Sequence, residues 1–266
     1  VSFSIAGKTA IITGSANGIG LAVGRHFADC GANVMFADMD EKGLVSELGE
    51  RKEEGSIRYF AGDLREKLSI NNLISATMDA FDQIDILVNG CRQVMTTDAL
   101  NPDDDSVNVM LQQNLMTSLR LSQIVAKRMV KQSEGREEGQ VGSIVNLSSI
   151  AARRTNPDLL GYSVATAALD QMTRSMAVAL APERIRVNAV SFGSVMSSSL
   201  KQALKDNREY RTEIEEHTPL GRIAGPGELA ETVQYLASEG SSFMTGQIIT
   251  LDGGRTLLDP VTAPAH

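Results

Sequence analysis

Thr9-Ala10-Ile11-Ile12-Thr13-Gly14-Ser15-Ala16-Asn17-Gly18-Ile19-Gly20-Leu21 is the stretch that decides how this chain folds. Residues 9–13 form a short apolar run, glycines follow at a G-x-x-x-G-x-G spacing, and Leu21, Val23, Phe27 and Ala28 then recur with a helical period. This predicts a β-turn-α unit. Glycines there let backbone amides, and the positive end of the helix, approach a pyrophosphate. The spacing alone fits a plain tight turn equally well; its place between strand and helix is what points to a dinucleotide.

Apolar runs recur at 33–37, 56–60, 84–89, 142–147, 186–190 and 247–251, with helical stretches between most of them. Their hydrophobicity is continuous rather than alternating, so both faces of each strand are covered, as in a parallel sheet between helix layers. The expected fold is a single doubly wound α/β domain over residues 1–266. The turns at 135–140, Asn156-Pro157 and Gly225-Pro226-Gly227 are too short for domain linkers. Residues 192–218 break the rhythm with a polar stretch and are expected to form a mobile flap over a site. Pro260 and Pro264 mark 259–266 as an extended tail.

With 42% hydrophobic and 22% charged residues, the 266-residue chain can bury a sizeable core. Its net charge of -8 repels a phosphate backbone, so nucleic acid is not expected as a partner. No stretch approaches the roughly 18 apolar residues of a membrane span, and the opening VSFSIAGK has no charged n-region followed by an apolar one. Neither a membrane nor export is expected. Cys30 and Cys91 are too few for a disulfide framework, which fits a reducing, cytoplasmic compartment. His26, His217 and His266 show no ligand spacing, so no metal is expected.

The second apolar run ends at Asp38, eighteen positions beyond Gly20, where a carboxylate can accept hydrogen bonds from both hydroxyls of an adenosine ribose. That charge repels a 2′-phosphate, and no Arg or Lys stands at positions 37–41 to receive one, so NAD is favoured over NADP. A helix-capping Asp is the alternative reading. Asp63, just after the third run, can bond the adenine amino group or cap the next helix.

TGSANGIG, Asp63-Leu64, Ile86-Leu87-Val88-Asn89, Asn114, Ile144-Val145-Asn146-Leu147-Ser148-Ser149, Tyr162 and Arg186-Val187-Asn188-Ala189-Val190 occur in that order, before Thr245-Gly246-Gln247 and Asp252-Gly253-Gly254. Together they resemble the short-chain dehydrogenase/reductase family of the short single-domain type, over nearly the whole chain. The resemblance implies a seven-stranded Rossmann sheet, NAD(P) chemistry on alcohols and ketones, and a homotetramer built on the helices carrying Asn114 and Tyr162. It implies cofactor contacts from Gly14, Ser15, Asn17, Gly18, Ile19 and Gly20, from Asp63, Leu64, Asn89 and Gly90, and from Gly193, Val195 and Ser197. It makes Tyr162 the group that exchanges a proton with the substrate oxygen, Ser149 the group that holds this oxygen, and Asn114 the support of a water relay. From the residues themselves, Ser149 lies at the carboxyl end of an apolar strand, where ligands of open α/β sheets bind. A buried structural tyrosine is the alternative for Tyr162.

The same resemblance exposes departures. The family's lysine, four residues after the Tyr, bonds the nicotinamide ribose and lowers the phenol's pKa; here Thr166 stands there, and no Lys occurs between Lys131 and Lys201. A phenol with a pKa of about 10 leaves roughly one molecule in a thousand as phenolate at neutral pH, and lowering it by two to three units is worth about 3–4 kcal/mol. The family's Asn-Asn-Ala-Gly turn is Asn89-Gly90-Cys91-Arg92, and its Pro-Gly pair after the sixth strand is Phe192-Gly193. The adenosine half of the site reads as intact and the nicotinamide half as rebuilt. Two readings follow. One is an NAD-dependent oxidoreductase interconverting a secondary alcohol and a ketone, with modified proton transfer in which Thr166 or an arginine covers part of the lysine's work. The other is a catalytically silent NAD-binding homologue, acting as sensor or structural subunit.

Overall fold

The computed structural model describes residues 3–49 and 55–259. The tail therefore lies, apart from Asp259, outside the described residues. In chain order the elements are β1 (Thr9–Thr13), α1 (Gly18–Asp29), β2 (Asn33–Asp38), α2 (Glu41–Leu48), β3 (Ile57–Ala61), α3 (Lys67–Phe81) and β4 (Ile86–Asn89). There follow α4 (Ser106–Met110), a π-helical turn (Leu111–Met116) running into α5 (Thr117–Gln132), β5 (Gly142–Ser149), α6 (Leu160–Leu180) and β6 (Ile185–Phe192). The chain closes with α7 (Ser198–Asp206), α8 (Glu209–Glu216), α9 (Pro226–Ala237) and β7 (Ile248–Leu251).

The strands form one seven-stranded sheet in the order β3-β2-β1-β4-β5-β6-β7, and every pairing is parallel. This is the doubly wound Rossmann arrangement. Alternate strand residues feed two cores. Ala10, Ile12, Val34 and Phe36 join Val23 and Phe27 of α1, Leu44 of α2 and Leu229 and Val233 of α9 on one face. Ile11, Met35 and Ala37 join Ile70 and Leu73 of α3, Leu121 and Val125 of α5 and Met176 of α6 on the other. Each such buried aliphatic or aromatic side chain contributes about 1.5–3 kcal/mol, so burial on both faces fixes the layers and explains the continuous apolar runs.

Four side chains form a polar line across the sheet. Asn89 donates to Ser122 (2.9 Å) and to Asn146 (2.7 Å), and Asn146 donates to Thr173 (2.8 Å). These bonds lock β4 and β5 to α5 and α6, the two helices that position the site. The polar stretch after β6 forms α7 and α8, two helices with no buried residue.

Candidate active site

The strand order reverses between β1 and β4, and at such a switch point the chain ends of neighbouring strands open a crevice. A cavity of about 500 Å³ lies there, lined by Gly14, Asn17, Gly18, Ile19 and Gly20 after β1, Asp38 and Met39 after β2, and Gly62, Asp63 and Leu64 after β3. Gly90, Cys91, Arg92, Gln93 and Val94 close it from the β4 side, with Gln113, Ser197 and Ser199. Ten of the residues expected to touch a cofactor are thus brought together.

The turn after β1 is built for close backbone approach. Gly14 has φ +65°, and a Cβ on it would stand 2.6 Å from the Gly90 carbonyl oxygen. Helix α1 starts without a side-chain cap at Asn17, and the first inward bond is Leu21 N–H to the Asn17 carbonyl at 3.3 Å. The N–H groups of Gly18, Ile19 and Gly20 have no hydrogen-bond partner among the described residues. They add to the positive end of the helix dipole, so a dinucleotide's pyrophosphate fits this cradle. Ser15 is elsewhere: buried, with its hydroxyl donating to the Ala37 carbonyl at 3.3 Å, it ties the turn to β2.

At the other end of the cavity the Asp38 carboxylate accepts from Ala16 N–H and from Asp40 N–H, each at 3.0 Å. Helix α2 is capped by Asp40, not by Asp38. Asp63 pairs with the Arg65 guanidinium through both carboxylate oxygens, at 2.9 Å and 2.6 Å, which holds its carboxyl below the ordinary range. Glu66, not Asp63, stands at the N-cap of α3. Both acids therefore border the cavity rather than begin helices.

The residues expected to do chemistry lie past the Arg92 end. Strand β5 runs on to Ser149, which pairs in register with Phe192, the last residue of β6. The Ser149 hydroxyl accepts from Ala151 N–H at 3.2 Å, and Ala151 packs against the Tyr162 cluster. Tyr162 lies in the first turn of α6, its ring buried with Met110 and Ala165. Its hydroxyl accepts from Nη1 of Arg92 at 3.4 Å, and the same guanidinium lies over the Phe192 ring, 4.7 Å from the centroid. The nearby Arg153 and Arg154 go instead to the Thr250 hydroxyl and the Thr256 carbonyl.

Thr166, one turn beyond Tyr162, is buried, and its hydroxyl donates to the Tyr162 carbonyl (2.8 Å) and the Ser163 carbonyl (3.1 Å). Its proton is used inside the helix. Asn114 sits in the π-helical turn, a local widening that often accompanies functional sites. Its side chain accepts from Gln93 N–H at 2.7 Å and donates to the Gln93 carbonyl at 2.8 Å, clamping the segment after β4. Asn89 belongs to the polar line beneath the site. Gly193 packs on Asp252, Val195 is bridged to Ala224, and Ser197 caps α7 by accepting from Leu200 N–H at 3.2 Å while lining the cavity.

Two features were not among the sequence-derived site residues. Ser148, next to Ser149, donates to the buried Asp170 carboxylate at 2.6 Å, and burial pushes that carboxyl up. The Cys91 thiol, beside the cavity, is pushed up to about 11, chiefly by burial, which makes it a small packed side chain and not a ready nucleophile.

Compared with known proteins, residues 14–256 match the family model described as enoyl-(acyl carrier protein) reductase. The chain belongs to the short-chain dehydrogenase/reductase family. It is 32% identical over 251 residues to a 3-oxoacyl-(acyl-carrier-protein) reductase of Thermotoga maritima, covering 93% of this chain and 97% of that one. It is 30% identical over 255 residues to a 2,3-dihydroxy-2,3-dihydro-p-cumate dehydrogenase of Pseudomonas putida, covering 95% of each. A crystal structure of a short-chain type dehydrogenase/reductase from Mycobacterium marinum superposes with a TM-score of 0.83 at 30% identity, over 97% of this chain and 98% of that one. As a short-chain dehydrogenase/reductase this chain is an oxidoreductase, and the family works with nicotinamide cofactors. No helix among the described residues is long and apolar enough to cross a membrane.

Proposed function

We propose that this protein is an NAD-dependent oxidoreductase that interconverts a secondary alcohol and a ketone, with Tyr162 as proton donor and acceptor. The observation that carries the reading is one arrangement: a cavity lined by glycines, Asp38 and Arg92, whose guanidinium bonds the hydroxyl of the buried Tyr162. Bound NAD supplies the hydride acceptor, or NADH the donor. The cradle at Gly18, Ile19 and Gly20 would hold the pyrophosphate, and Asp38 would accept the ribose hydroxyls and disfavour a 2′-phosphate. In the oxidation direction the alcohol's carbon would lose a hydride while its O–H proton passes to the Tyr162 phenolate, leaving a ketone and a neutral phenol; reduction runs the same transfers backwards. Ser149, at the end of β5, would hold the substrate oxygen.

The site is atypical in that Thr166 stands where the family's lysine would be. Its hydroxyl is turned into the helix, so it offers no charge to the phenol. This same feature favours the second reading, a silent NAD-binding homologue. Turnover of NADH with a ketone panel, abolished in Tyr162→Phe, supports the enzyme; NADH binding with no hydride transfer on that panel supports the silent homologue. Helices α7 and α8 are the proposed flap: Ser197, the N-cap of α7, and Ser199 in its first turn line the cavity. Exposed Leu160, Val164 and Val178 on α6 support a homotetramer, and the free Cys30 and Cys91 support a reducing, cytoplasmic setting.

A further inference from the structure

The segment after β4 is held at both ends. Gly90 N–H and Cys91 N–H donate to the Thr13 hydroxyl at 3.0 Å and 3.3 Å, and Gln93 is clamped through both backbone groups by Asn114. Arg92, between these anchors, presents one guanidinium face to the buried Phe192 ring at 4.7 Å and one N–H to the Tyr162 hydroxyl at 3.4 Å. A surface arginine ordinarily has no such restraint, because its side chain carries large rotamer freedom. Here the backbone is pinned and the planar head is seated on an aromatic ring.

On its apolar side Tyr162 packs with Met110 and Ala165, together with Met95, Leu111, Ala151 and Leu159, and none of these titrates. Among the described residues Arg92 is the one charged side chain bonded to the hydroxyl. Thr166 has no charge to give, and Arg153 and Arg154 are engaged elsewhere.

We infer that Arg92 is a catalytic residue of this site: its guanidinium, seated on Phe192, carries the countercharge for the Tyr162 oxygen that a lysine on α6 would otherwise supply. The inference rests on Tyr162 being the proton-exchanging group of the proposed oxidoreductase. An arginine suits the task because it stays protonated at every working pH and donates without losing its charge. Donating to the phenol oxygen also leaves the phenol's own proton free to point at a substrate. When that proton leaves, the hydrogen bond joins two opposite charges and becomes stronger.

The test begins without cofactor or substrate. The chain has four tyrosines and no tryptophan, so phenolate absorbance near 295 nm, taken as wild type minus Tyr162→Phe, isolates the Tyr162 step. In Arg92→Leu this step should move to higher pH, and Arg92→Lys should restore part of the change. Turnover at pH 7 should fall about 10- to 100-fold in Arg92→Leu and approach wild type at high pH, with the NADH dissociation constant within about threefold. An unchanged 295 nm step overturns the inference. So does an Arg92→Leu protein that binds NADH at least tenfold tighter at unchanged turnover, which would make Arg92 a plug, or one that loses only KM for acidic substrates, which would make it a substrate anchor. Because the absorbance step needs no turnover, it judges Arg92 even where a wild-type protein indifferent to Tyr162→Phe has sunk the oxidoreductase reading.

Discussion

Replacing Gly14 by alanine separates backbone strain from loss of the cofactor cradle. An alanine Cβ at Gly14 would lie 2.6 Å from the Gly90 carbonyl oxygen, 2.7 Å from its carbon and 2.8 Å from Cys91 N, and all three are backbone atoms that cannot rotate away. The two loops that wall the cavity must therefore part by most of an ångström. The backbone at Gly14 has φ +65°, which costs an L-residue about 1 kcal/mol before any contact is counted. Gly7 shares the strain, with φ +74°, but has nothing within 4 Å of its would-be Cβ. Gly7→Ala should lose about 1 kcal/mol, a drop of roughly 2–4 °C in Tm. Overpacking adds about 1–3 kcal/mol, so Gly14→Ala should lose about 2–4 kcal/mol and roughly 5–15 °C. NADH titration should show unchanged binding in Gly7→Ala and at least tenfold weaker binding, about 1.4 kcal/mol, in Gly14→Ala. Gly14→Ala binding NADH like wild type, with a melt no lower than that of Gly7→Ala, would refute the reasoning.

Thr166→Lys places an amine one turn from Tyr162 and should raise neutral-pH alcohol oxidation at least tenfold, at a stability cost of about 1–3 kcal/mol for the buried position; a slower enzyme that still binds NADH contradicts an otherwise sound pocket. Asp38→Ala removes the charge that opposes a 2′-phosphate, so the NADPH to NADH affinity ratio should rise about tenfold or more, and a ratio that stays put means Asp38 does not face the ribose. Since burial pushes the Cys91 thiol up to about 11, alkylation of Cys30→Ser protein at pH 8 should be about 100-fold slower than for an ordinary exposed thiol and should climb steeply towards pH 11. The sign for stability follows: a thiol raised on folding contributes stability below about pH 9 that is lost as pH rises through 11. Rapid alkylation at pH 8 would show that the turn after β4 opens.

How far the sequence speaks varies with the kind of residue. The strands were legible because apolar runs buried on two faces have few other uses, and β1 falls on 9–13 as expected. Two strands run further than their apolar patterns, β5 to Ser149 and β6 to Phe192, because these added residues pair with one another across the sheet, Ser148 with Ser191 and Ser149 with Phe192, and Ser148 is also held by Asp170. The placing of Asp38 and the glycines at one cavity was legible because local geometry sets their position. Arg92 was visible only as a bulky departure. Its reach to Tyr162 depends on Asn114 clamping Gln93 from 21 residues away, and on a ring at the end of a different strand. Arg153 and Arg154 stand closer to Ser149 in sequence yet bond elsewhere, because the turn after β5 aims them at the β7 side.

The central claim, a dinucleotide site selective for NAD, is tested most directly by titrating NADH and NADPH against the pure protein and following the cofactor's own fluorescence, which no tryptophan obscures. Micromolar binding of NADH, with NADPH at least tenfold weaker, is the predicted result. No NADH binding at millimolar concentration would contradict it.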